Sequence, residues 1–180
     1  MRICTVRESY DQIRALARCT DSRSELENVV VDLERDESGS VRTRQFRYTF
    51  GSCADHPQRR IRRLHGFDIL LDPVACTVTV SAMEREFEQA RDDADWAELT
   101  ADSPLTPLRC GPWLHDLDSA LPTALTLLDQ WAGVGRHTPE SASLYPDEDG
   151  APRWQIVAWS ETDLPLQVIL DARSGAVLHE

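Results

Sequence analysis

The sequence feature that most constrains this fold is a series of short segments in which apolar and polar residues alternate. Alternation with a period of two places apolar side chains on one face of a β-strand and is typical of a half-buried antiparallel sheet. Clusters rich in Asp, Gly and Pro separate the segments and predict turns. The predicted strands cover residues 29–34, 42–50, 67–71, 74–80, 154–160, 166–171 and 177–178.

Three other segments have the spacing of an amphipathic helix. The first, residues 9–19, opens with Ser9 and Gln12 in the order of a capping box. The second, residues 83–99, carries an apolar stripe above charged flanks. The third follows Asp118 or Ser119 as the predicted N-cap and runs to about residue 132.

The remaining stretches set the domain organisation. Residues 51–66 and 138–150 keep neither period and are predicted to be loop, the latter with a short edge segment near Leu144 and Tyr145. The Pro-rich connector 101–112 cannot form a long regular element. We therefore predict an α+β fold of two helix-plus-antiparallel-sheet modules, residues 1–100 and 113–180. They are either independent or a tandem repeat packed as one unit.

The C-terminal part, residues 115–180, resembles a PepSY-type, cystatin-like module. The likeness lies in a helix at 119–131, a strand at 154–157, and the hairpin Asp171-x-x-x-Gly175 before an apolar pair. In the matching hairpin of the first half, Cys76 stands where the glycine would be. The resemblance implies a helix-plus-sheet unit and, since such modules are usually exported and inhibit or chaperone peptidases, a role of that kind.

The distribution of charge along the chain indicates which kind of partner it binds. The chain has a formal net charge of -12; residues 1–66 hold 13 Arg against 10 acids (+3), and residues 67–180 hold 6 Arg against 21 acids (-15). A strongly negative surface disfavours nucleic acid and anionic membranes and favours a basic protein partner, although it also serves solubility alone.

The N-terminus and the cysteines indicate the compartment. The start lacks the apolar run of a signal peptide, and no segment has the eighteen or so apolar residues of a membrane span. We therefore expect a cytoplasmic, bacterial-type protein with no membrane association. Five scattered cysteines are expected to be free thiols, with Cys76 packed as a small apolar residue of a strand.

Signals for catalysis or metal binding are weak. Cys53 and His56 form a Cys-x-x-His pair and His65 follows, but zinc needs four ligands and a second pair is missing from the sequence. The common hydrolase, nucleotide and zincin motifs do not occur. We therefore predict no metal and no cofactor, and we lean against an enzyme without excluding one assembled from scattered residues.

The function predicted is non-catalytic binding of another, basic protein, as an inhibitor or as a bacterial immunity protein against a toxin or enzyme. One alternative is a small-molecule enzyme or carrier with a pocket between helix and sheet. Another is a nucleic-acid binder using the arginine run 59–63, although pairing of that run with the protein's own acids is favoured. The predicted partner-binding residues are two apolar anchors and two acidic groups, namely Trp96, Trp159, Asp92, Asp93, Asp95, Asp147, Glu148 and Asp149.

Overall fold

The structure is a computed structural model that describes residues 5–108 and 115–179, apart from the side chains of residues 84–86 and 179. Within these residues there are three α-helices, one short 3-10 turn at Pro57–Arg59, and eight strands. The helices are α1 Val6–Thr20, α2 Asp93–Leu99 and α3 Leu117–Ala132. The strands are β1 Glu25–Arg35, β2 Val41–His56, β3 Ile61–Asp72, β4 Thr77–Gln89, β5 His137–Pro146, β6 Pro152–Ser160, β7 Pro165–Asp171 and β8 Val177–His179.

All eight strands belong to one antiparallel sheet with the order β4-β3-β2-β1-β5-β6-β7-β8. At its centre β1 pairs with β5, so that Val29 lies opposite Leu144 and Val31 opposite Ala142. All four side chains are fully buried. The sheet therefore runs without interruption from the first half of the chain into the second.

This sheet corrects the predicted fold class. The expected α+β arrangement of two helix-plus-sheet modules is wrong, because the described residues form one continuous sheet that contains many more residues than the three short helices. Alternation identifies each strand from its own residues and cannot show that β1 pairs with a strand on the far side of the connector. The part of the connector that the structure describes, residues 101–108, has neither helix nor strand, and residues 109–112 lie outside the described residues.

The core lies between one face of the sheet and the helices α1 and α3. From α1, Ile13 and Ala17 are buried, and from α3, Leu121 and Leu128 are buried. They contact a sheet face whose largest buried side chains are aromatic or branched aliphatic, namely Phe46, Tyr48, Phe50, Ile69, Leu144, Trp154, Ile156 and Leu170. Burial of this apolar surface supplies the main favourable term for folding.

The N-termini of α1 and α3 share one carboxylate. Asp116, the N-cap of α3, is buried and accepts a hydrogen bond from the backbone N–H of Leu117 at 2.7 Å. Its two oxygens also accept the N–H groups of Val6 at 3.2 Å and Arg7 at 2.8 Å, in the first turn of α1. The N-cap predicted at Asp118 or Ser119 is therefore displaced to Asp116.

The capping box of α1 also lies one turn earlier than predicted. Thr5 is the N-cap, its hydroxyl accepts the N–H of Glu8, and the Glu8 carboxylate accepts the N–H of Thr5. Ser9 lies inside the helix instead, with its hydroxyl 2.5 Å from the Tyr48 hydroxyl on β2. Both positions offer the Ser/Thr-x-x-Glu/Gln spacing, and packing of the helix on β2 selects the earlier one.

The predicted helix 83–99 is wrong over most of its length. β4 continues to Gln89, paired with β3 from Thr77 opposite Asp72 to Gln89 opposite Ile61, and only Asp93–Leu99 is helical. The apolar stripe that suggested a helix consists largely of alanine. Burial of this stripe on a helix face would therefore gain little free energy. Backbone pairing with β3 overrides this weak local preference.

The predicted loop at 138–150 is wrong as well, because β5 occupies His137–Pro146 near the middle of the sheet. Ala142 and Leu144 face the core. The alternation is hidden in the sequence because the other two buried positions of β5 are His137 and Pro139, and Pro139 interrupts the pattern. Pro139 stands where the register with β6 shifts, a place where a strand tolerates proline.

Residues 51–66 are also mostly strand rather than loop. β2 continues to His56, and β3 begins at Ile61, directly after the short turn. Their long pairing, from Phe46 opposite Leu71 to His56 opposite Ile61, explains why polar residues remain extended here.

The described cysteines Cys19, Cys53 and Cys76 are free, whereas Cys4 and Cys110 lie outside the described residues. Cys76 does not pack as a strand residue. It is exposed in the β3–β4 turn, with a positive φ of 54°. Among the described residues, no helix has both the length and the apolar character needed to cross a membrane.

Candidate functional site

β4 forms one edge of the sheet and exposes apolar side chains. Val78, Val80 and Phe87 are 47%, 41% and 55% exposed. β4 pairs with β3 along one side only, so the backbone groups on its other side have no strand partner among the described residues. An exposed edge strand with apolar side chains is a template for pairing with another chain.

The apolar face of the sheet continues beyond the helices at this edge. Val80 lies opposite Ile69 and Val78 opposite Leu71, so the two valines share the face on which Ile69 packs. Ile69 is fully buried, whereas Val80, one strand further out, is not. The helix layer therefore covers the sheet as far as β3 and leaves the same face of β4 open.

β4 leads directly into an acidic segment. Residues 84–102 contain eight acidic residues against two arginines. Asp92 is the N-cap of α2, and its carboxylate accepts the N–H groups of Ala94 at 3.0 Å and Asp95 at 2.9 Å. This capping explains why the chain turns from strand to helix here.

Two arginines neutralise part of the segment. Arg60 pairs with Asp93 at 2.8 Å, which agrees with the expectation that the arginine run pairs with the protein's own acids. Arg91 pairs with Asp95 at 2.6 Å, and its hydrogen bond holds the pKa of Asp95 below the ordinary value. Asp93 nevertheless keeps a largely exposed side chain, so its charge is available to solvent or to a partner.

A buried arginine attaches the acidic segment to the sheet. Arg62 on β3 donates to the Asp55 carboxylate at 2.9 Å and to the carbonyl groups of Leu99 and Asp102. The Arg62 hydrogen bond lowers the pKa of Asp55, which therefore stays ionised. These bonds fix the end of α2 and the start of the connector beside the end of β4.

The two tryptophans predicted as anchors lie far apart. Trp96 is half-buried on α2, beside the end of β4. Trp159 is 40% exposed on β6, and its indole N–H donates to Glu140 at 2.7 Å. β6 lies five strand positions from β4, roughly 24 Å at about 4.8 Å per strand. The structure therefore does not bring the two anchors into one patch.

The second predicted acidic group lies in the turn between β5 and β6. Asp147 accepts the N–H groups of Asp149 and Ala151 and pairs with Arg153 at 2.7 Å, so it mainly stabilises this turn. Glu148 and Asp149 are exposed, and they line a shallow depression together with the connector residues Ser103, Leu105, Thr106 and Pro107. The connector starts at the end of α2 and reaches Glu148 and Asp149. Both acidic groups therefore lie at the same end of the sheet.

The Cys-x-x-His pair lies on one strand, where Cys53 and His56 both belong to β2. The Cys53 thiol contacts Asp55 at 3.5 Å, and burial, followed by the Asp55 charge, raises its pKa. A raised pKa disfavours the thiolate, the reactive form. In the part of the chain that the structure describes, no three His, Cys, Asp or Glu residues are grouped as metal ligands.

No family model, curated protein or solved structure matches this chain. The resemblance of residues 115–180 to a PepSY-type module therefore stays a prediction.

Sequence reasoning missed the importance of β4. The alternation of Val78 and Val80 predicts a strand, but alternation alone gives no information on whether a helix covers that face. Phe87 has the spacing of the apolar stripe in the predicted helix 83–99, although Glu86-Phe87-Glu88 also fits a strand with one apolar face. The sequence does not show that β4 is the outermost strand on one side of the sheet.

Proposed function

We propose that this chain is a non-catalytic, acidic protein-binding protein whose β4 edge accepts an extended basic segment of a partner. In the form that we favour, it is an inhibitor or immunity protein that neutralises a basic toxin or enzyme. The supporting observation is the exposed β4 edge, whose outer backbone groups have no strand partner in the described part of the chain, together with the apolar row of Val78, Val80 and Phe87.

Strand addition explains how such an edge binds. Main-chain hydrogen bonds to the edge supply affinity, and alternate side chains of the added strand select the partner. Val78, Val80 and Phe87 offer apolar surface to those side chains.

Charge favours a basic partner over a second copy of this chain. The acidic segment 84–102 lies at one end of β4, and residues 67–180 carry -15. Complementary charge accelerates association at low salt, whereas two copies that each carry -12 repel one another.

Trp96 is the predicted anchor that belongs to this surface, since α2 follows β4 directly. Its replacement by Ala is expected to cost about 2 kcal/mol of binding, roughly thirtyfold in affinity. Trp159→Ala is expected to leave binding at β4 unchanged, because Trp159 lies on a distant strand.

The test begins with isolation of the partner from the native host and continues with dissociation constants for the purified pair. Val80→Lys places a charge on the edge and repels a basic segment, and we expect at least tenfold weaker binding. Val134→Lys is the matched control, since Val134 is 85% exposed in the turn before β5. Equal affinities of the two variants would contradict the proposal, as would self-association that Val80→Lys abolishes or a partner that is acidic.

A further inference from the structure

A cavity of about 420 Å³ lies between the second half of α1, the start of β1 and the connector. Its volume is in the range of small-molecule sites. The floor is apolar and comes from Leu26, Phe50 and Leu108, all buried. Pro107 forms part of the wall. None of the lining residues belongs to β4, so this cavity is separate from the proposed protein-binding edge.

Three arginines line the same cavity, Arg14, Arg18 and Arg23, against one acidic residue, Glu25. Arg14 and Arg18 are one helical turn apart on α1, where like charges destabilise a helix. Within residues 5–108 and 115–179, neither of these two arginines pairs with a carboxylate, although the chain has 31 acidic residues.

The positions of the two helix arginines are not fully explained by helix stability. Arg18 lies in the last turn, where the helix dipole favours a cation. Arg14 lies one turn earlier, and its guanidinium carbon is 5.9 Å from the centre of the Tyr10 ring. This cation–π contact leaves the hydrogen-bond donors of Arg14 without a partner among the described residues, so they are available to a planar oxyanion.

A buried hydroxyl adds a second polar group. Ser24 Oγ is buried, lines the cavity and has no hydrogen-bond partner among the described residues. Buried polar groups are nearly always hydrogen-bonded, so such a hydroxyl calls for an explanation. An oxygen atom of a bound ligand would satisfy it.

We propose that this cavity binds a small organic anion, in which a carboxylate or phosphate group contacts Arg14 and Arg18 and an apolar body lies on Leu26, Phe50 and Leu108. Guanidinium groups bind both oxyanions through paired hydrogen bonds. The apolar floor favours an organic anion over an inorganic ion, because an apolar group that leaves water to lie on it gains free energy from the hydrophobic effect.

The experiment uses the full chain, labelled with ¹⁵N, and three probes: phenyl phosphate, benzoate and uncharged phenol. Titration with either anion should shift the amide signals of residues 22–26 in a saturable way, and inorganic phosphate should bind at least tenfold more weakly than phenyl phosphate. The double variant Arg14→Gln/Arg18→Gln should weaken phenyl phosphate binding at least tenfold.

Arg59→Gln/Arg63→Gln is the matched control, since it removes the same charge from two exposed arginines outside the cavity. It should leave binding within twofold of the wild type. The proposal is overturned if both double variants weaken binding equally, if phenol binds as well as phenyl phosphate, or if neither anion shifts these signals at millimolar concentration. The spectra themselves show whether each variant is folded.

Discussion

At the scale of single residues, the position of Asp116 links two helices. Its carboxylate accepts backbone N–H groups from Val6, Arg7 and Leu117 and is buried. The first turn of any helix leaves N–H groups without partners, and a carboxylate there satisfies them and interacts with the helix dipole. In this chain one side chain does so for α1 and α3 together, across a sequence separation of 110 residues.

We predict that Asp116→Ala destabilises the protein by about 2 kcal/mol, because α3 loses its N-cap, which typically costs about 1 kcal/mol, and the N–H groups of Val6 and Arg7 in α1 lose a buried acceptor. Asp116→Asn should cost less, since the amide oxygen still accepts one or two of the bonds. Urea unfolding followed by circular dichroism measures both changes.

Asp118→Ala is the control for this prediction. Asp118 lies in the first turn of the same helix but is exposed, so its loss should cost no more than a few tenths of a kcal/mol. If Asp116→Ala and Asp118→Ala are equally mild, the Asp116 carboxylate does not stabilise the N-termini of both helices.

At the scale of elements, four hairpin turns begin with an aspartate that accepts backbone N–H groups from residues two to four positions later. These aspartates are Asp36, Asp72, Asp147 and Asp171. The turns after Asp72 and Asp171 have a further feature in common, because the fourth residue after each aspartate has a positive φ. That residue is Cys76 at 54° in one turn and Gly175 at 72° in the other.

We predict that Cys76→Gly stabilises the protein by about 0.5–1 kcal/mol. A side chain other than glycine is strained in the left-handed region, and removal of that strain outweighs the larger entropy that glycine brings to the unfolded chain. The Cys76 side chain is exposed, so little packing is lost. Thermal unfolding should show a higher midpoint temperature.

The reverse change, Gly175→Ala, should destabilise the protein by more than 1 kcal/mol. An added Cβ would meet the His115 ring at 2.9 Å and would be strained by the positive φ. If both substitutions shift the midpoint in the same direction, backbone strain does not decide the stability of these turns.

The same elements show how far the sequence predicts this fold. β1, β6, β7 and the turns between strands were predictable, because alternation and aspartate turn chemistry are local properties. β5 was not, because Ala142 and Leu144 alone give too weak a signal and only pairing with β1 makes the segment a strand. The acidic residues of α2 can be assigned to a partner-binding surface from their charge alone. The apolar part of that surface cannot be predicted in this way, because only the strand order shows that β4 is an edge strand.

At the scale of the whole molecule, the pairing of β1 with β5 makes the two halves of the sheet one core. Val31 and Ala142 lie opposite each other and are fully buried. The β1–β5 pairing is the seam between the two halves of the sheet. Disruption of this seam therefore exposes apolar surface of both halves at once.

We predict that Ala142→Asp lowers the stability of the entire chain by more than about 3 kcal/mol, because it buries an unpaired charge at the seam. Hydrogen exchange should show β2 and β6 amides losing protection together. Ser143→Asp is the control, since the neighbouring side chain points to the opposite, half-exposed face and should change stability little. Loss of protection in β6 alone would mean that the two halves unfold independently.

The seam also has a consequence for synthesis on the ribosome. The chain emerges N-terminus first, so β1 to β4 are complete while β5 is still unmade. Until β5 leaves the exit tunnel, the backbone groups of β1 that pair with β5 in the finished sheet form a second open edge. At about 5–20 residues per second this interval lasts several seconds. The nascent chain is therefore most prone to aggregation in the interval before Ala142 and Leu144 emerge.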